Sequence, residues 1–106
     1  MEKYPLGIVI AERVISHTEN GELTVKIGKP EIERGEARYF YCPFEVSGAG
    51  ERHVLQYSVG VDAVQALQLA MLMIGSILRN LVSAKNGKLK WSQGQEEGDF
   101  GFPIKP

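Results

Sequence analysis

Cys42, His17 and His53 are the residues of this chain best suited to nucleophilic or metal chemistry. A histidine within hydrogen-bond reach of a cysteine can hold it as an attacking thiolate. The surrounding pattern argues against such a pair. Phe40, Cys42, Phe44 and Val46 fall on one face of a strand, and Leu55, Tyr57 and Val59 on one face of the next. Placing both apolar sets on a common face sets Phe44 opposite Leu55, Cys42 opposite Tyr57 and Val46 opposite His53. His53 then lies four ladder steps from Cys42, roughly 13 Å at strand rise. His17 belongs to a turn in another strand pair. Cys42, flanked by aromatics, reads as a small buried apolar residue. No catalytic residue is expected.

A metal site needs several His, Cys or carboxylate ligands converging. One cysteine and two separated histidines do not provide that spacing. Glu96, Glu97 and Asp99 lack the alternation of a calcium loop and read as a solvated acidic loop. Gly48-Ala49-Gly50 joins two strands and opens no helix, so it is no phosphate cradle. We therefore expect no metal and no cofactor. Glu12 and Arg13, adjacent charges in an apolar strand, mark an edge or a bulge. Asp62 and Gln65 sit at a strand-to-helix junction, where capping explains both. With Tyr41 and Tyr57 they also outline an alternative, a groove for a small ligand or an enzymatic substrate.

The element that must organise these residues is Val61 to Lys85, expected as one long helix. Val64, Leu67, Met71, Ile74, Leu78 and Leu81 recur at helical steps. Asp62 and Gln65 form a capping-box pattern at its start, and Asn86-Gly87 stops it. A second apolar stripe runs beside the first through Ala66, Ala70, Met73 and Ile77. Gln65, Gln68, Ser76 and Arg79 interrupt the run too often for a membrane span. Leu69 and Leu72 stand in the polar arc near Gly75 and Ser76, which hints at a contact surface.

Before the helix, Leu6–Ile15, Glu22–Gly28, Arg38–Val46 and Arg52–Val59 read as four strands. Asn20-Gly21 and Ser47–Gly50 mark turns. Glu31–Glu36 reads as an exposed connection or irregular edge. Pro43 belongs at a bulge or sheet edge. After the helix, Lys88–Ser92 and Phe100–Ile104 read as two short strands. The expected fold is α+β: a four-stranded antiparallel meander covered by one long helix, then two short strands, ββββαββ. Residues 1–106 make a single domain.

Twelve basic residues against 13 acidic ones give no electrostatic case for nucleic acid or an anionic membrane. The longest N-terminal apolar run, Ile8–Ala11, is closed by Glu12-Arg13 and is too short for a signal peptide. A cytoplasmic location is expected.

Tyr41-Cys42-Pro43-Phe44, the run Gly60-Val61-Asp62-Ala63-Val64-Gln65-Ala66-Leu67-Gln68-Leu69-Ala70 and Gly101-Phe102-Pro103 resemble a small bacterial family of uncharacterised domains. The similarity covers most of the chain from about Arg38 onward. Asp-x-x-Gln-Ala-Leu is its most specific part. The resemblance implies a bacterial source and brings no activity, cofactor or catalytic residue.

Size and pattern lead to a non-enzymatic interaction module that binds another protein or a second copy of itself. The expected contact residues are Leu69, Leu72, Met73 and Ile77. A helix from Asp62 to Lys85 would be about 35 Å long, overhanging a small sheet and leaving an apolar stripe for either the C-terminal aromatics Trp91, Phe100 and Phe102 or a two-fold partner to cover.

Overall fold

The computed structural model describes residues 4–35, 38–91 and 100–103. Their elements run β1 (Val9–His17), β2 (Gly21–Gly28), β3 (Glu31–Glu33), β4 (Tyr39–Gly48), β5 (Val54–Gly60), α1 (Ala63–Arg79), α2 (Val82–Lys85) and β6 (Leu89–Lys90). The fold is α+β, one antiparallel sheet with one main helix.

β4 is the hub of the sheet. Phe40 and Tyr41 pair with both β3 and β5, while Phe44 and Val46 pair with both β2 and β5. A strand residue has one neighbour on each side. β2 and β3 therefore share one edge of β4, and β5 takes the other. The rows run β5, β4, β2 with β3, β1, β6. Two features depart from the expected meander of four. Glu31–Glu33, expected as an exposed connection or irregular edge, forms a short edge strand against Tyr39–Tyr41. Leu89 and Lys90 extend the sheet beyond β1.

α1 covers one face. Ile15, Leu23, Val25, Cys42, Phe44 and Val46 meet Ala66, Ala70, Ile74 and Leu78, all buried, in a single apolar cluster. Burying each large member contributes roughly 1.5–3 kcal/mol. The alanines fall on every fourth residue and bring the helix close to the sheet.

Several expectations are corrected. α1 ends at Arg79, not Lys85. The Asn80 side chain donates to the Ser76 carbonyl (2.8 Å). The Asn80 and Leu81 amides fold back to Ile77 and Leu78. Leu81 is extended, and the chain restarts as α2. Asn86-Gly87 closes that second helix, with Gly87 at φ 70°. A helix of 17 residues is about 26 Å long, shorter than the roughly 33 Å of a ten-residue β4. It is short enough to lie within the length of β4.

The second apolar stripe is not surplus either. Ala66 and Ala70 lie at the centre of the contact, and Met73 and Ile77 pack against the core. Val64 of the first stripe is exposed instead.

The β4–β5 register differs by one residue. Phe44 faces Gln56, Cys42 faces Ser58 and Val46 faces Val54. One step exchanges the faces of a strand, so Leu55, Tyr57 and Val59 point away from α1. Phe100–Pro103 form a turn, not a strand. Phe100 and Phe102 are nonetheless buried. Ile104, the acidic loop Gln93–Asp99 and Met1–Lys3 lie outside the described residues.

Candidate functional site

The small residues at the end of β5 set the position of the helix. A Cβ placed on Gly60 would stand 2.5 Å from the Ala66 amide nitrogen. Only glycine admits the first turn of α1 at that distance. Ser58 Oγ donates to the Ala66 carbonyl (2.5 Å) and ties strand to helix. At the other end of the helix, Pro103 O would lie 2.9 Å from a Cβ on Gly75. The C-terminal segment thus seats on the helix at Gly75.

These two contacts fix one flank of α1 beside β5. Leu69, Leu72, Met73, Ser76 and Arg79 recur at helical steps and line a groove with Tyr57, Ser58 and Val59. Its volume is about 490 Å³. Among the described residues β5 pairs with β4 alone, so its other side is a free sheet edge. The walls are mainly apolar. Arg79 supplies the groove's cation. Its Nη1 is buried and has no hydrogen-bond partner.

Three of the four expected contact residues, Leu69, Leu72 and Met73, come together in this groove, and Ile77 does not. Sequence reasoning found the strand but missed Arg79 as part of this groove. The available signal was the step pattern from Leu69 through Leu72 and Ser76 to Arg79, which places a cation on the leucine flank.

The residues of the ligand-groove alternative divide between two places. Asp62 Oδ1 accepts the Gln65 amide (2.8 Å), and Gln65 Oε1 accepts the Val61 amide (2.7 Å). Asp62 thus caps the helix, while Gln65 reaches back to the residue before the cap, a variant of the capping box in which the return bond falls one position early. Tyr41 and Tyr57 belong to an aromatic cluster on the opposite sheet face, with Tyr57 at the strand edge also lining the groove. Tyr4 stacks on Tyr41 with ring centroids 3.7 Å apart and meets Tyr57 edge-on at 4.8 Å. The Tyr4 and Tyr39 hydroxyls share a hydrogen bond (2.9 Å). That bond, then burial, raises the Tyr4 pKa. Burial, reinforced by Glu31 and Glu33, raises that of Tyr41.

The residues with nucleophilic potential are structural. Cys42 is buried, its thiol aimed at the Gly28 carbonyl (3.5 Å). Burial pushes its pKa up to about 11, so the thiolate is scarce at neutral pH. His17 is not in a turn but ends β1, buried beside Ser83 (3.2 Å). Its Nδ1 accepts the Glu19 and Asn20 amides (both 2.9 Å). Nε2 must then carry the proton and donate to Ser83. Such a histidine cannot take a proton from that serine, and the pair is a turn lock, not a base and nucleophile. Glu51 accepts the Ser83 amide at the start of α2 (2.8 Å). His53 is exposed and pairs with Glu45 (2.8 Å).

Arg13 closes the far side of the core. Its Nη1 donates to the Phe100 carbonyl (2.9 Å). Its guanidinium lies 4.0 Å from the Trp91 ring centroid and 4.9 Å from that of Phe102. The adjacent charges thus do not simply mark an edge: Arg13 fastens the C-terminal aromatics, and a bulge lies upstream between Val9 and Ala11.

Among the described residues no three His, Cys, Asp or Glu converge as metal ligands. No helix among them is long and apolar enough to cross a membrane. No curated protein and no solved structure matches the chain. A family model matches residues 11–104, and the chain therefore belongs to the DUF6968 family, a domain of unknown function.

Proposed function

We propose that this domain is a non-enzymatic interaction module that takes an extended segment of another protein onto the free edge of β5. Strand addition of this kind draws affinity from main-chain hydrogen bonds and specificity from pockets for alternate side chains. The observation that carries the reading is the groove: a sheet edge and an apolar helix flank meet along one line.

The composition of the edge supports it. Proteins usually guard exposed edges with lysine, proline or a bulge. β5, Val54 to Gly60, contains no charge and no proline. The unpaired amides and carbonyls of such an edge are a template for another strand. Leu69, exposed at 36%, and Leu72 give that strand an apolar wall to lie against.

The test is selection of binders from a displayed library of random ten-residue peptides. Enriched sequences should alternate apolar with polar residues, as strands do. Leu69→Glu, an exposed change that leaves the fold intact, should weaken a selected peptide at least about tenfold. Failure to enrich any peptide, or binding indifferent to Leu69→Glu, would count against the proposal.

A further inference from the structure

We infer that the strand received by β5 carries a carboxylate, and that Arg79 is the residue that binds it. The inference rests on the strand-addition reading and adds the chemistry of the partner. Arg79 lines the groove, and its Nη1 is buried without a hydrogen-bond partner. A buried guanidinium nitrogen left unpaired costs stability. It sits beside Gly75, where Phe102 and the Pro103 carbonyl also pack. A carboxylate entering along β5 would meet the guanidinium where Arg79 lines the groove, and the fork geometry of arginine suits carboxylates.

The same geometry selects between a different protein and a second copy. Two copies meeting at β5 would bring two Arg79 side chains to one interface. Neither β5, Val54 to Gly60, nor α1, Ala63 to Arg79, contains an aspartate or glutamate to neutralise them. A symmetric pairing of two β5 edges is thereby disfavoured, and the carboxylate is assigned to a segment of another protein, as an Asp or Glu side chain or a terminal carboxylate.

Arg79→Met separates this role from a structural one, because the two predict opposite signs. Removing an unpaired buried donor should leave the free protein equally stable or more stable in a thermal melt. Binding of a library-selected peptide should weaken at least about tenfold, as expected for loss of a charge-assisted hydrogen bond. Arg79→Lys should retain part of the affinity. Replacing the peptide's carboxylate by the amide should weaken wild-type binding by the same factor and leave Arg79→Met unaffected. Peptides that bind through Leu69, yet carry no conserved acid and ignore Arg79→Met, would overturn the carboxylate inference and leave strand addition standing. Absence of any Leu69-dependent peptide would overturn both.

Discussion

Asp62 and Cys42 show how single residues divide between local chemistry and packing. Asp62→Ala removes the acceptor of the Gln65 amide and should destabilise the fold by roughly 0.5–2 kcal/mol. A urea melt measures it, and peptide binding should fall only with the folded fraction. The thiol of Cys42 should react slowly with a thiol reagent in the native state and rapidly after unfolding. Its pH effect has a definite sign. Burial raises the folded pKa from 9.0 to about 11, so the neutral thiol's contribution is full below about pH 9. It is lost as pH rises through about 11. Cys42→Ala should flatten part of the alkaline fall in stability, with the raised tyrosines Tyr4 and Tyr41 retaining the rest. The cap and the inert cysteine were legible in the sequence because each depends on near neighbours. The partners of His17 and Arg13 were not: Ser83 and Phe100 lie 66 and 87 residues away.

The β5–α1 junction carries the lesson at the scale of elements. Hydrophobic alternation pointed Leu55, Tyr57 and Val59 at the helix, whereas the register points Val54, Gln56, Ser58 and Gly60 there. Alternation misled because the outer face has its own apolar company, with Tyr57 against Tyr4. The inner face needs small residues where α1 comes closest. Gly60→Ala tests this directly. Its Cβ would meet helix backbone at 2.5 Å, so a loss of about 1–3 kcal/mol or more is expected, readable as a lower urea midpoint. The four main strands, the helix start and the Asn86-Gly87 stop were readable from pattern and end signals. The break at Asn80 was not, because the apolar steps continue through Leu81.

For the molecule as a whole, the corrected helix length removes the argument for an uncovered second stripe. Light scattering at micromolar concentration should return the single-chain mass, 11.7 kDa. Ile8, Val9, Ile10 and Val14 form a separate exposed apolar set, while the proposed docking line runs between β5 and the Leu69–Arg79 flank. The most direct test of strand addition there is nuclear magnetic resonance of the isotope-labelled protein with a library-selected peptide. The account predicts cross-strand contacts between peptide backbone protons and Tyr57, Ser58 and Val59. It also predicts slowed amide exchange along β5 and shifts at Leu69, Leu72 and Arg79. Contacts running instead along β1, past Ile10 and Val14, with β5 unchanged, would contradict it.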